Sequence, residues 1–216
     1  MQPRPPFDLV IRRATVQTAS ESFVADIAVA GGRIAALGEI PGNASQVLEA
    51  RGLVAVPGGI DAHTHFDMPY PGGTTADDFE SGTRAALCGG TTTVIDFATQ
   101  SRGGSLLAAL DEWHAKAAGR AWADYAFHMA VTDLSARAGR DMGRLVGEGV
   151  TSFKFYMAYP GTLMSDDAAI LRALQRSNEI GALVSLHCEN GAAIAELVRQ
   201  ARAAGRRAAR FHAATR

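Results

Sequence analysis

The first fifty or so residues alternate between apolar and polar positions in short runs, which is typical of half-buried β-strands. This alternation predicts strands at Asp8–Arg12, Ala25–Val29 and Arg33–Leu37. The glycine pair Gly31-Gly32 lies between the last two strands and predicts a hairpin turn. We interpret residues 1–56 as a small β-domain in which no residue pattern indicates chemistry.

From residue 53 onward, apolar runs alternate with helix-like segments. The runs begin near Leu53, Thr91, Ala123, Val150 and Leu183, and after the first the spacing is roughly 30 residues, the length of a strand–helix–strand unit. Acidic or hydroxyl residues at the start and glycine at the end predict helices at Asp77–Cys88, Ser105–Ala118, Asp166–Ile180 and Ala192–Ala204. This alternation predicts an α/β fold of parallel strands, either a closed barrel or an open doubly wound sheet.

Composition narrows the expected partners and location. A formal net charge of −1 over 216 residues gives no reason to expect nucleic acid or an anionic membrane as a partner. The two cysteines, Cys88 and Cys188, lie in apolar surroundings and predict reduced core thiols. With no signal peptide and no apolar run that could span a bilayer, the expected location is the cytoplasm. One helix near the end is arginine-rich and is interpreted as a solvated face: Arg199, Arg202, Arg206, Arg207 and Arg210.

Candidate metal ligands follow the first apolar run. Asp61, His63 and His65 share one parity, so in an extended strand their side chains lie on one face. A His-x-His pair offers a metal two nitrogen ligands and leaves positions for other ligands and for water, and imidazole suits zinc and its first-row neighbours. The alternative is a pair of hydrogen-bonded histidines near a strand end.

Further candidates lie in the later strands, whose carboxyl ends carry function in either architecture. Asp96 ends the second strand and is either an acceptor for a ligand imidazole or a loop cap. His128 lies inside an apolar run and is predicted to be a satisfied core residue. Lys154 lies in a strongly apolar strand, which predicts a buried amine unless this strand is a solvated edge. A neutral lysine amine can add carbon dioxide to give a carbamate that bridges two metal ions. His187 ends the fifth strand.

These residues lie in segments that resemble the cyclic amidohydrolases, most closely the dihydropyrimidinase and D-hydantoinase branch. Dihydroorotases and allantoinases share the His-x-His pattern, but an arginine-proline or glutamate-proline type of sequence is expected after it rather than Phe66-Asp67-Met68-Pro69. The resemblance covers nearly the whole chain. It is carried by Pro57–Pro69 (PGGIDAHTHFDMP), Thr75–Phe79 (TADDF), Gly89–Thr92 (GGTT), Phe153–Tyr159 (FKFYMAY) and His187–Gly191 (HCENG).

The resemblance implies a β-sandwich portion in residues 1–56 and the first part of a TIM-type (β/α) barrel in residues 57–216, with two zinc ions at the barrel mouth. By the family pattern His63 and His65 bind one zinc, His187 binds the other, and carbamylated Lys154 bridges them. Manganese or cobalt would suit the same ligands. Tyr159 resembles the family tyrosine that hydrogen-bonds the oxygen of the tetrahedral intermediate.

The implied reaction is hydrolysis of a dihydropyrimidine or a 5-substituted hydantoin to an N-carbamoyl amino acid by a homotetramer. Phe66, Met68 and Phe155 are the implied walls of the substrate pocket. Asp61 and Asp96 are the expected supports of the metal ligands.

The family pattern also requires residues that this sequence does not contain. A further histidine ligand on the sixth barrel strand, and an aspartate on the eighth that is also the general base, have no counterpart up to Arg216. The chain is therefore expected to be the amino-terminal part of such an enzyme, with about five of eight barrel strands, and weakly active at best. Two alternatives stay open: a non-catalytic paralogue or interaction fragment of the same fold, and an allantoinase or dihydroorotase.

Overall fold

The computed structural model describes residues 6–70 and 72–216. The chain divides into two compact units, one that runs to Gly58 and one from Gly59 to Arg216. Each unit is built around its own sheet.

The first unit is made of strands alone, and the second alternates strands with helices. The first unit contains β1 (Phe7–Gln17), β2 (Ser22–Ala30), β3 (Arg33–Gly38), β4 (Ala44–Glu49) and β5 (Val54–Ala55). The second unit contains β6 (Gly59–Thr64), β7 (Pro69–Tyr70), β8 (Gly73–Thr74), α1 (Phe79–Cys88), β9 (Thr91–Thr99), α2 (Leu106–Ala117), β10 (Asp124–Ala130), α3 (Ala136–Gly147), β11 (Ser152–Tyr156), α4 (Asp167–Ile180), β12 (Leu183–His187) and α5 (Gly191–Ala203), followed by two short 3₁₀ turns.

The first sheet has the order β3-β2-β1-β4, and β5 also pairs with β1. The predicted hairpin is present between β2 and β3, and its turn residues Gly31 and Gly32 have φ angles of 58° and 73°, which glycine adopts without a Cβ clash. Val54 and Ala55 pair in parallel with β1. The prediction that the run from Leu53 is the first strand of the α/β region is therefore wrong, because the end of β1 beyond its pairing with β4 offers this run a backbone partner. Val54 and Ala55 both lie within residues 1–56, the range interpreted as the β-domain.

The second sheet is parallel throughout, in the order β12-β11-β10-β9-β6. Helices cover one of its faces, and the residues between sheet and helices form the largest core of the described chain. Its fully or nearly fully buried members include Val94, Leu106, Trp113, Met129, Met142, Leu145, Phe153 and Phe155. The alternation of strands and helices is the α/β arrangement that the apolar spacing predicts.

The helices begin where side chains satisfy their free backbone N–H groups. Ser105, Asp166 and Asn190 each accept a hydrogen bond from the N–H three residues further on, at the starts of α2, α4 and α5. Asp78 and Ser81 form a reciprocal capping box at α1. Across residues 6–70 and 72–216, no helix is long and apolar enough to cross a membrane.

Both cysteines are free and exposed. Cys88 lies off the buried face of α1, which consists of Phe79, Gly82 and Thr83, and Cys188 follows the last residue of β12. The prediction that they are core thiols is therefore wrong, because apolar neighbours in sequence do not place a residue on the buried side of its element: Leu87, directly before Cys88, is itself 36% exposed.

Candidate metal centre

The histidine pair lies at the carboxyl end of β6, the edge strand of the parallel sheet. The ring centroids of His63 and His65 are 5.1 Å apart at an interplanar angle of 79°. Both rings also contact Phe97 on the neighbouring strand β9, at centroid distances of 4.6 and 5.1 Å. The structure therefore brings the two imidazoles together on the sheet face that the helices do not cover.

The backbone at this pair departs from a regular strand. Strand β6 ends at Thr64, so His65 lies just beyond it, and the pairing of β6 with β9 shifts register between Asp61 and Thr64. The Asp61 carboxylate accepts a hydrogen bond of 3.1 Å from the backbone N–H of His63. Asp61 thus supports the histidine pair through the backbone at this irregularity.

Asp96 lies on the opposite, helix-covered face and is fully buried. Its Oδ2 accepts hydrogen bonds of 2.8 Å from Thr64 Oγ1 and from the Phe66 N–H, and its Oδ1 accepts one of 3.0 Å from Trp113 Nε1. Burial raises the pKa of Asp96, and the hydrogen bonds act in the opposite direction. Because Thr64 and Phe66 stand on either side of His65, Asp96 holds the segment around His65 as a loop cap. Its hydrogen bonds favour this interpretation over that of an acceptor for an imidazole.

Helix α2 adds two supports that the sequence reasoning missed. Trp113 holds Asp96, and Lys116 lies one helical turn further on, with Nζ 3.7 Å from the Trp113 ring centroid. The same ammonium donates a hydrogen bond of 3.2 Å to the carbonyl of Asp67, which has a left-handed φ of 49°. The spacing of Trp113 and Lys116 places both on one face of α2, which is the signal that the sequence offered.

His65 carries a feature expected of a metal ligand. Its Nδ1 is buried and has no hydrogen-bond partner among the residues that the structure describes. Burial, then the His63 imidazole, then the Lys154 ammonium lower the pKa of His65, and Asp96 opposes them. A lowered pKa favours the neutral ring, which is the form that binds metal, and with the unpartnered Nδ1 it makes the residues present fit a divalent ion here.

Lys154 occupies the middle of β11, between two phenylalanines that are fully buried. Phe153 and Phe155 face the helices, and Lys154 projects to the opposite face, where it is half-buried. Lys154 therefore lies between the two predicted environments, neither buried in the core nor fully solvated, because the apolar character of this strand belongs to its other face. Lys154 shares the uncovered face with the histidine pair and is near enough to affect the pKa of His65.

His187 and Tyr159 meet beside the end of β11. His187 lies opposite Tyr156 in the pairing of β11 with β12, and its Nε2 is 3.5 Å from the Tyr159 hydroxyl and 2.9 Å from Glu189 Oε2. The hydrogen bond with His187 lowers the pKa of Glu189. Tyr159 has a φ of 65°, a conformation that costs a non-glycine residue roughly 1–2 kcal/mol. This conformation directs the Tyr159 ring towards His187, at a centroid distance of 5.2 Å.

Two of the three implied pocket walls lie elsewhere. Phe66 is 8% exposed and packs on Phe79 and against Gly82 of α1, and Phe155 is fully buried in the same core. Both side chains point away from the uncovered face of the sheet, so the prediction that they contact substrate is wrong. Met68 is half-buried in the loop that follows the histidine pair.

His128 is satisfied, as predicted, although it is half-buried rather than part of the core. Its Nδ1 is hydrogen-bonded to Ser152 Oγ and its Nε2 lies 3.0 Å from the carbonyl oxygen of Ala62. Its ring stacks at a tilt on Phe97, with centroids 4.8 Å apart. Its two bonded nitrogens leave it no free position for a metal.

The described residues do not provide a complete set of metal ligands of the usual types. In residues 6–70 and 72–216, no group of three or more His, Cys, Asp and Glu side chains is arranged to hold a metal ion. The sheet face that the helices do not cover, called the ligand face below, instead presents the histidine pair at the end of β6, Lys154 on β11 and His187 on β12.

A parallel sheet with helices on one face and imidazoles at its strand ends defines the class of (β/α) barrel proteins that carry their functional residues at the carboxyl end of the barrel. The sequence profile of the amidohydrolase family matches residues 54–212, and the chain belongs to this family.

Its relatives within the family are hydantoinases and dihydropyrimidinases. The chain is 51% identical over 213 residues to a D-hydantoinase of Streptomyces coelicolor, an alignment covering 96% of this chain and 46% of that protein. It is 42% identical over 195 residues to the dihydropyrimidinase of Rattus norvegicus, an alignment covering 87% of this chain and 38% of that protein. The crystal structure of dihydropyrimidinase from Brevibacillus agri superposes with a TM-score of 0.92 at 43% identity, and the superposition covers 96% of this chain and 45% of that one.

The chain thus spans about half the length, or less, of the relatives it matches. The superposition confirms the predicted fold, an incomplete TIM-type barrel with five parallel strands together with an N-terminal sheet region. It also confirms the resemblance to the dihydropyrimidinase and D-hydantoinase branch.

Proposed function

We propose that this chain carries the first part of a metal-dependent site that hydrolyses cyclic amides, with dihydropyrimidines or 5-substituted hydantoins as substrates and N-carbamoyl amino acids as products. The observation that carries the proposal is the paired imidazoles of His63 and His65, at 5.1 Å, on the same sheet face as Lys154. The names of the relatives support the substrate class.

Each residue of the ligand face has a proposed role. His63 and His65 would hold one divalent ion and His187 a second. Lys154, as a carbamate, would hold both ions. Zinc is the first candidate, with manganese or cobalt as alternatives. A bound ion of this kind supplies a Lewis acid for the ring carbonyl and lowers the pKa of water. Tyr159, through its hydroxyl beside His187, would donate a hydrogen bond to the carbonyl oxygen as negative charge develops on it.

We further propose that the 216-residue chain by itself is weakly active or inactive. The described residues hold no group of three ligands of the usual metal-binding types, and the chain corresponds to 46% of the Streptomyces relative. This observation also favours a second candidate, a non-catalytic protein or interaction fragment of the same fold that keeps part of the site.

Metal uptake and ring opening, measured on the same protein, separate these candidates. After dialysis, the chain should retain zinc in elemental analysis, and Lys154→Ala should lower the retained amount. Any ring opening should be measurable with dihydrouracil and hydantoin, and should disappear in Lys154→Ala. No zinc in the unaltered chain would favour the non-catalytic candidate. Turnover of dihydroorotate or allantoin but not of dihydrouracil would contradict the substrate class.

Assembly is proposed on resemblance alone, and the location is the one expected from the sequence. We expect a homo-oligomer of four subunits in the cytoplasm, and analytical ultracentrifugation of the purified chain measures the first of these. A purely monomeric chain would contradict the proposal for the protein in this form.

A further inference from the structure

At the register shift in β6, the backbone carbonyl of Ala62 is hydrogen-bonded by a side chain rather than by the backbone of a neighbouring strand. The pairing of β6 with β9 loses register between Asp61 and Thr64, and the carbonyl of Ala62 lies in this gap. It is bonded by a side chain, His128 Nε2, at 3.0 Å. The donor comes from β10, which is not a neighbour of β6 in the sheet, since β9 lies between them.

The other nitrogen of the same ring reaches in the opposite direction. His128 Nδ1 is hydrogen-bonded to the hydroxyl of Ser152, on the adjacent strand β11. A carbonyl only accepts, so Nε2 carries a proton; in the neutral ring, Nδ1 then accepts from the Ser152 hydroxyl. Both hydrogen bonds together use the full capacity of the neutral imidazole.

These two partners stand next to the proposed metal ligands. Ala62 directly precedes His63, and Ser152 lies two positions before Lys154 on the same face of β11. One imidazole therefore links the two strands whose side chains would share an ion, across the concave face of the sheet. Phe97, which contacts His63 as well as His128, fills the space beneath this link.

We propose that His128 is a positioning residue that sets the separation of β6 and β11, and with it the distance between the histidine pair and Lys154. This inference rests on the proposed function, because it assigns His128 a purpose only if those side chains share a metal. His128 itself does not bind the ion.

Three variants test the inference. His128→Phe keeps a ring against Phe97 but loses both hydrogen bonds, and His128→Gln loses the ring but keeps a donor for the Ala62 carbonyl. His114→Phe is the matched control: His114 packs edge-on against Phe127 of the same strand, from the helix-covered face, with centroids 5.0 Å apart.

Zinc affinity, measured by competition with a chromophoric chelator, is the first readout. His128→Phe should weaken binding about 10- to 100-fold, the usual effect of removing a group that orients a metal ligand. His114→Phe should bind as the unaltered chain does, and His128→Gln should recover most of the loss. Equal affinity in His128→Phe and the unaltered chain would overturn the inference, and so would a loss that His128→Gln fails to recover.

Amide hydrogen exchange of the metal-free chain is the second readout, and it does not depend on the proposed function. In His128→Phe, exchange should accelerate at residues 60–64 and not in the pairing of β9 with β10; in His114→Phe, residues 60–64 should be unchanged. Exchange that is unaffected, or accelerated throughout the sheet, would overturn the inference. If the unaltered chain takes up no zinc, the metal assignment fails, and this exchange pattern alone decides whether His128 links the two strands.

Discussion

The two faces of the parallel sheet differ in both burial and chemistry. On the helix-covered face, the strand residues are apolar and at most 5% exposed: Val94, Phe127, Met129, Phe153 and Phe155. On the other face, the polar side chains are exposed or half-buried: His63, His128, Lys154, Ser185 and His187. Phe97, which packs against the His63 and His128 rings, is the buried residue among them.

This difference shows that, on the same strands, one set of residues stabilises the fold and another carries the ionisable side chains. Removing apolar surface from water contributes about 25 cal/mol per Å², so the covered face supplies most of the hydrophobic stabilisation of this sheet. The uncovered face is released from that requirement and can carry ionisable groups. Asp96 connects the two, since it lies among the core residues and holds the backbone on both sides of His65.

The largest expected effect is truncation on the covered face. Phe155→Ala should lower the free energy of unfolding by about 3–5 kcal/mol, measured by urea denaturation, because it leaves a cavity in a closed core. Leu171→Ala on α4, at a side chain 56% exposed, is the control and should change it by about 0.5 kcal/mol or less. A loss below about 1 kcal/mol for Phe155→Ala would contradict the difference in stabilisation between the two faces, and would restore Phe155 as a candidate pocket wall.

The next effect concerns the residue that joins the faces. Asp96→Asn and Trp113→Phe should each cost about 1–3 kcal/mol, because each leaves a buried polar group without a partner. The double variant should cost less than the sum, since an asparagine amide then no longer meets the indole N–H. Strict additivity in denaturant unfolding would mean that the two side chains do not act as a pair.

A third test adds a methyl group on α1 at the point where Phe66 packs against it. A Cβ at Gly82 would collide with the Phe66 ring, so Gly82→Ala should destabilise the protein by about 1–3 kcal/mol. Gly139→Ala is a matched control, because a Cβ there meets nothing within 4 Å inside α3, and it should stabilise by about 0.5–1 kcal/mol. Thermal unfolding measures both; equal shifts for the two variants would contradict the packing of Phe66 on α1.

The smallest effect on stability is expected on the uncovered face. Lys154→Met should change the free energy of unfolding by about 0.5 kcal/mol or less, because the amine lies on a face that contributes little burial. Zinc retention should nevertheless fall, as measured by elemental analysis. A loss of several kcal/mol with unchanged zinc would reverse the proposed division between the faces.

Much of the fold could be predicted from local patterns. The strands at the start, the Gly31-Gly32 hairpin and four of the helices follow from alternation and capping, which act over a few residues. Helix α3 was not predicted, although Ser135 caps it and Ala138, Met142 and Leu145 form its buried stripe, which is a signal of the same kind. The pairing of Val54 and Ala55 with β1 was not accessible in this way, because it depends on a partner about forty residues earlier in the chain.

For the candidate site, the residue types and their strand ends could be predicted, and their surroundings could not. His63, His65, Lys154 and His187 were found from spacing and resemblance. The face to which each phenylalanine points was misjudged at Phe66 and Phe155, because an apolar strand in sequence does not reveal which of its two faces the helices cover.

The sequence by itself therefore determined the family, the α/β alternation and the ligand candidates, since these depend on residue identity and on short periods. Only the tertiary structure decided that Asp96 binds Thr64, Phe66 and Trp113, that Lys154 is half-buried, and that His128 links β6 to β11. The physical reason is distance along the chain. Those contacts join residues from 17 to 66 positions apart, and such pairings are set by how the strands and helices pack rather than by local preference.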